Sequence, residues 1–137
     1  MELNVERLDH FFSRLTLNTI PTIGVEARDE TLFRANVLRF PINSFLVKLQ
    51  LKGVVIDGLF KKLCSNDSLK TLELSDLFIS LSDAIDLSDY LKDAKVLESL
   101  KVEKSLYFLN LEKVVEGLQH SKSIRYLDID ELYAYDD

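Results

Sequence analysis

The sequence predicts an α/β fold in which short parallel strands form one sheet and a helix follows each strand. Three observations predict it. A pattern of apolar residues that begins at Leu46 returns after 23, 28 and 27 residues. Each interval contains one stretch with the apolar spacing of a helix. The chain has 137 residues, of which 47% are hydrophobic, so it is long enough to bury a continuous core.

The strand pattern has three apolar positions with the spacing L-x-x-L-x-L. Alternate side chains of a strand point to opposite faces of a sheet, so the last two apolar positions lie on one face. The four occurrences are Leu46, Leu49 and Leu51; Leu69, Leu72 and Leu74; Leu97, Leu100 and Val102; and Ile124, Leu127 and Ile129.

The helical patterns follow the spacing i, i+3, i+4, i+7. They comprise Ile56, Leu59, Phe60 and Leu63; Ala84, Leu87 and Leu91; and Leu111, Val114, Val115 and Leu118. Polar residues that favour helix starts precede or open them: Asp57; Ser82, Asp83 and Asp86; Asn110 and Glu112. One strand and one helix cannot bury their apolar faces alone, so successive units must stack.

This pattern resembles leucine-rich repeat proteins of the ribonuclease-inhibitor-like subtype, and Val114–Ile129 is the best match. The resemblance covers residues 46–132 and, more loosely, the whole chain. It implies a right-handed α/β solenoid, a horseshoe segment with a concave parallel sheet and convex helices, that binds proteins. The chain departs from the family at a turn position normally held by Asn or Cys, and we therefore expect irregular strand-to-helix connections, especially over Asp76–Ser82. That position holds Val54, Leu77, Ser105 and Leu132.

We interpret 1–137 as a single domain with an N-terminal capping region at 1–45, regular repeats at 46–132 and an acidic tail at 133–137. Within the capping region, the sequence predicts a helix over Asn4–Leu15, a strand near Leu15–Asn18, a turn or loop at Ile20–Gly24 and a helix from Asp29 to Pro41. In the tail, Leu132, Tyr133 and Tyr135 are expected to cover the last strand. The alternatives are a self-association surface and a truncated domain.

Composition excludes several classes of function. The net charge is −6, which argues against binding to nucleic acid and to anionic membranes, because both need clustered Lys and Arg. The single cysteine, Cys64, cannot form an internal disulfide, and no run has the length of a membrane span or the order of a secretory signal. We therefore expect an intracellular, cytoplasmic protein.

The sequence holds no recognisable catalytic constellation. His10 and His120 are far apart in the chain, and Cys64 closes an apolar helical face, where a buried structural role is expected. Asp83, Asp86, Asp89 and Asp93 follow helical spacing but lack the glycine and terminal glutamate of a calcium loop. We therefore predict no enzyme activity, no metal and no cofactor.

The candidate binding residues occupy the x positions of the strand pattern, which point away from the helices. Stacking the strands gives three columns: Val47, Lys70, Glu98 and Arg125; Lys48, Thr71, Ser99 and Tyr126; and Gln50, Glu73, Lys101 and Asp128. Two columns alternate in charge, so Lys70–Glu98–Arg125 and Glu73–Lys101–Asp128 could form ladders that only stabilise the sheet. Alternatively, the surface binds a partner with Tyr126 and Arg125 as anchors.

The favoured function is a protein–protein interaction module whose partner-binding residues are Lys48, Gln50, Lys70, Thr71, Glu73, Glu98, Lys101, Arg125, Tyr126 and Asp128. The alternative is a structural or self-associating module that stacks through the open ends of the solenoid. A targeting domain of a larger effector is a third hypothesis, and the sequence does not identify the partner.

Overall fold

The computed structural model describes residues 2–4, 21–26, 33–36 and 44–130. Its strands are β1 (Glu2–Asn4), β2 (Thr22–Glu26), β3 (Phe33–Asn36), β4 (Lys48–Lys52), β5 (Val54–Asp57), β6 (Thr71–Ser75), β7 (Ser99–Glu103) and β8 (Tyr126–Asp130). Its helices are α1 (Leu59–Leu63), α2 (Leu81–Asp93) and α3 (Phe108–His120).

Six of the described strands form one parallel sheet in the order β1-β2-β4-β6-β7-β8. The register joins equivalent positions of the sequence pattern, since Leu49 pairs with Leu72, Leu72 with Leu100 and Leu100 with Leu127. A helix follows each of β6 and β7, and α1 follows β4 after the short strand β5. The prediction of an α/β fold with a parallel sheet and helices is confirmed, and β3 and β5 form a second, two-stranded sheet that was not predicted.

The sheet extends into the region that we interpreted as a cap. Thr22–Glu26 form strand β2 beside β4, so the prediction of a turn or loop over Ile20–Gly24 is wrong for residues 22–24. Ile23 and Val25 alternate along this strand and are almost completely buried. Pro21 directly precedes the strand, where a missing donor is tolerated, and its carbonyl accepts the Val47 N–H at 2.7 Å.

The predicted helix between Asp29 and Pro41 is also wrong where the structure describes it. Phe33–Asn36 form strand β3, which pairs in parallel with β5. Strand β5 includes Ile56, which the sequence pattern predicts to be helical. Its sequence, Val-Val-Ile-Asp, is rich in β-branched residues that fit a sheet better than a helix. The predicted elements over 5–20 and the cover over 131–137 lie outside the described residues.

The core lies between the main sheet and the helices. All three apolar positions of the strands that begin at Leu46, Leu69 and Leu97 are at most 1% exposed. The helices contribute Leu59, Phe60, Leu63, Ala84, Leu87, Tyr90, Leu91 and Val114. Val115 was predicted to be buried but is 38% exposed.

The helix starts differ from the prediction by a few residues. Helix α1 begins after Gly58 rather than after Asp57. Helix α2 begins one residue before Ser82, because the Ser80 hydroxyl accepts the Asp83 N–H and the Asp83 carboxylate accepts the Ser80 N–H. This reciprocal arrangement is a capping box, which satisfies two backbone donors at the helix start. Helix α3 begins at Phe108, two residues before Asn110.

The turn after each strand is more regular than expected from the missing Asn or Cys. Gly53, Asp76 and Lys104 each follow a strand and each have a positive φ, of 68°, 52° and 50°. Their N–H groups each donate to the carbonyl of the last residue in the next strand of the sheet, at distances of 3.0, 3.1 and 3.2 Å. The backbone therefore adopts the same turn after β4, β6 and β7, although the residue types in the turn differ.

Ser105 holds the turn position at which a side chain was expected to satisfy backbone groups. It is buried, and its hydroxyl accepts the N–H of Leu77 at 3.1 Å and donates to the Glu103 carbonyl at 2.9 Å. At the equivalent positions, Val54 and Leu77 are buried in the core instead. One polar residue thus serves the backbone of two neighbouring turns.

We predict that Ser105→Ala lowers the free energy of unfolding by about 1–3 kcal/mol, because it leaves the buried Leu77 N–H without this acceptor. Ser88→Ala is the matched control, since Ser88 is equally buried but its hydroxyl has no hydrogen-bond partner. Urea denaturation of both variants checks this. Equal losses would contradict the role assigned to the Ser105 hydroxyl.

Helices α2 and α3 approach each other closely at Gly117. A Cβ atom built at this position would lie 2.6 Å from the carbonyl oxygen and 2.8 Å from the Cα of Ser88. Both atoms belong to the backbone of α2, so they cannot move away as a flexible side chain could. The glycine therefore sets the distance between the two helices.

We predict that Gly117→Ala destabilises the protein by about 1–3 kcal/mol through overpacking, although alanine favours a helix more than glycine does. Gln119→Ala, on the exposed side of the same helix, should have little effect. Thermal denaturation of the two variants tests the prediction, and a rise in melting temperature for Gly117→Ala would contradict it.

Candidate functional site

The outer sheet face is the surface of strands β4, β6, β7 and β8 opposite the core. Two of the predicted columns run across it in the expected register. The first contains Lys48, Thr71, Ser99 and Tyr126, and the second contains Gln50, Glu73, Lys101 and Asp128. On β4, β6 and β7 these side chains alternate with buried apolar residues, and the register with β8 is continuous, so the prediction of which residues share this face is confirmed for these two columns.

The remaining predicted residues lie in a third column just before the strands. The N–H groups of Lys70, Glu98 and Arg125 each donate to the carbonyl of the preceding column member at 2.8 Å. The column therefore runs through Val47, Lys70, Glu98 and Arg125, and all four are exposed. The structure therefore places seven of the ten predicted residues on the outer sheet face and the other three, Lys70, Glu98 and Arg125, beside it at the starts of the strands.

The charges on the outer sheet face pair differently from the predicted ladders. Glu73 accepts a hydrogen bond from the Gln50 amide and lies 3.9 Å from the Lys48 ammonium. Lys101 lies 3.9 Å from Glu103 of its own strand. Neither ladder forms as a chain of ion pairs among these described residues. Because the observed pairs are partly exposed, each contributes little to stability.

The sequence analysis missed a fourth column at the ends of the strands. It contains Glu26, Lys52, Ser75, Glu103 and Asp130, and the Lys52 ammonium lies 3.9 Å from the Glu26 carboxylate. Next to it, Gly24 occupies the Gln50 column without a side chain and leaves a shallow depression. The alternation of Ile23 and Val25 was the signal that could have revealed β2.

The two predicted anchors are exposed at the β8 edge of the sheet. Tyr126 is 69% exposed, and Arg125 precedes it in the neighbouring column. Asp128 shares the outer sheet face with Tyr126 and is exposed as well. This corner therefore combines a tyrosine and an arginine, two residue types that are enriched at protein interfaces, with the acidic Asp128 beside them.

In the described part of the chain, no three His, Cys, Asp or Glu side chains are grouped so that they could hold a metal ion. His120 is exposed at the end of α3, and His10 lies outside the described residues. Of the helices described, none is long and apolar enough to cross a membrane.

Cys64 is exposed, so its predicted burial is wrong. It caps the C-terminus of α1, and its thiol donates to the Phe60 carbonyl at 3.4 Å. Partial desolvation raises the pKa of the Cys64 thiol, and the negative charges of Asp89, Asp86 and Asp93 raise it further. The thiolate is the reactive form of cysteine, so this environment lowers its reactivity.

The chain was compared with models of protein families, with curated proteins and with solved structures, and none of them matched.

We predict that Cys64 reacts with iodoacetamide at neutral pH more slowly in the folded protein than in the unfolded chain, because its raised pKa reduces the thiolate fraction. Asp89→Asn removes a nearby negative charge, so it should lower the pKa of Cys64 and shift the pH profile of the alkylation rate to lower pH. Asp128→Asn, on the outer sheet face, is the control. An unchanged profile for Asp89→Asn would contradict the electrostatic explanation.

Proposed function

We propose that this chain is a leucine-rich-repeat solenoid that binds a protein partner through the outer sheet face. The observation that carries the proposal is the register of the parallel sheet, which aligns the polar x positions of four successive strands into continuous columns. The buried apolar positions between them hold these columns in place.

The geometry supports recognition by rigid presentation. The column residues of β4, β6 and β7 alternate with side chains that are buried in the core, so binding would immobilise little more of the backbone there. A surface that is already ordered loses less conformational entropy when it binds. The mixed charges on this face favour a polar, specific contact over a strongly charged ligand.

Charge reversal on the outer sheet face should weaken partner capture. We expect the double variant Lys48→Glu and Lys101→Glu to lose at least about tenfold in affinity, because the two residues lie in adjacent columns of the outer sheet face. Proteins captured from lysate on the immobilised variant and on the immobilised unmodified protein are quantified by mass spectrometry, and the comparison identifies the partners that the variant loses. Tyr126→Ala with Arg125→Ala tests the two anchors in the same way.

The matched control is Lys61→Glu with Lys92→Glu, which makes the same change in net charge on exposed positions of α1 and α2. Thermal melts establish that all variants are folded. If the outer-face variants and the helix variants retain the same partners with equal affinity, the proposal fails.

A second candidate function is self-association through an end of the sheet. The specific observation that favours it is the exposure of Leu127, which is 50% exposed although the equivalent Leu100 is 1% exposed. Under this alternative the fold serves as a structural module, and the outer sheet face only keeps it soluble.

A further inference from the structure

A cavity of about 480 Å³ lies between the C-terminal ends of helices α1 and α2, and we call it the α1–α2 cavity. Among the described residues it is lined by 64–67, which follow α1, and by Tyr90 and 93–95 of α2 and the turn after it. Ligand sites in proteins typically have volumes of about 300–1,000 Å³, so the cavity has room for a small group. It shares no described lining residue with the outer sheet face, so what binds here is independent of the partner proposed above.

Tyr90 places an unused hydrogen-bonding group in the wall of this cavity. The residue is only 2% exposed, yet it lines the cavity. Its hydroxyl makes no hydrogen bond with any residue that the structure describes. Burial raises the pKa of the Tyr90 hydroxyl, and the nearby Cys64 thiol raises it further when ionised, so the hydroxyl stays neutral. Buried hydroxyl groups normally have a hydrogen-bond partner, so a polar group that enters the cavity finds this one available.

The charges around the cavity favour a cation. Desolvation raises the pKa of the Cys64 thiol, and the negative charges of Asp89, Asp86 and Asp93 raise it further, so the potential at this end of the cavity is negative. The described wall itself carries two aspartates and one lysine. The 13-residue helix α2 ends here, and the partial negative charge of its C-terminus acts in the same direction. The cavity therefore attracts a cation and repels an anion.

We propose that the α1–α2 cavity binds a primary alkylammonium group, which donates hydrogen bonds to the Tyr90 hydroxyl and to the Asp93 carboxylate. Tyr90 and Asp93 are three residues apart on α2, so they are neighbours on the same side of the helix. An ammonium group has three N–H donors and no acceptor, and both of these groups accept hydrogen bonds. A free amine and a lysine side chain of another protein present the same ammonium group, and two probes separate these sources.

Titration of the full, isotope-labelled chain with n-butylammonium chloride tests the inference. We expect saturable NMR shifts of the backbone amides of 64–67 and 90–95, because these residues surround the bound ammonium group. The neutral analogue n-butanol has the same alkyl stem without the charge and should cause no saturable shift of these amides. A capped Gly-Lys-Gly peptide is the second probe. Saturation by the peptide identifies a lysine side chain as an occupant, whereas saturation by n-butylammonium alone identifies a free amine.

Tyr90→Phe removes only the hydroxyl. We expect it to weaken binding of the ammonium probe at least about tenfold, since a hydrogen bond to a charged group is lost. Its melting temperature should stay close to that of the unmodified chain, because no described residue loses a hydrogen bond. Asp93→Asn, at an exposed position of α2, should also weaken binding. Asp128→Asn removes the same charge from the outer sheet face and is the matched control.

Thermal melts establish that the three variants are folded. The inference is overturned if neither ammonium probe causes a saturable shift, or if n-butanol saturates the same amides. Unchanged affinity in a folded Tyr90→Phe or Asp93→Asn variant, or equal weakening by Asp128→Asn, would overturn it as well.

Discussion

The structure depends on one constraint, the burial of the same apolar positions in strands β4, β6 and β7 of the parallel sheet. Leu49, Leu72 and Leu100 lie side by side and are at most 1% exposed. A slip of one residue between two strands would turn an entire row of leucines toward the outer sheet face. The register is therefore fixed by the hydrophobic effect. The polar columns follow from it, because the residues that alternate with the buried leucines must lie on the opposite face of the sheet.

The backbone turn and the helix contact extend this repetition beyond the sheet. Gly53, Asp76 and Lys104 adopt the same left-handed conformation, although only glycine adopts it without steric cost. Register in the sheet brings each turn beside the next, where its N–H finds an acceptor. The close approach at Gly117 then aligns α3 with α2. Local preference is overridden where neighbouring units supply hydrogen bonds and packing.

Much of the fold from residue 46 to residue 130 could be predicted because its apolar spacing is repeated. Strand β2 was missed because Pro21 and Gly24 are typical of turns, yet Pro21 precedes the ladder and Gly24 lies on the outer sheet face. Strands β3 and β5 pair across 21 residues of sequence, which no local pattern reveals. The columns followed from the register, but the ion pair of Lys48 with Glu73 depends on rotamers that spacing does not determine.

Strand β8 is the place where this constraint is weakest, and it carries one of the two predicted anchors. Leu127 is 50% exposed although the equivalent Leu100 is 1% exposed, so apolar burial holds β8 in register less tightly than it holds β7. The ladder with β7 supplies the remaining constraint, because Tyr126 and Asp128 pair with Ser99 and Lys101. A partner that contacts Tyr126 would therefore bind at the least buried strand of the outer sheet face, where more conformational entropy is lost on binding than at the inner strands.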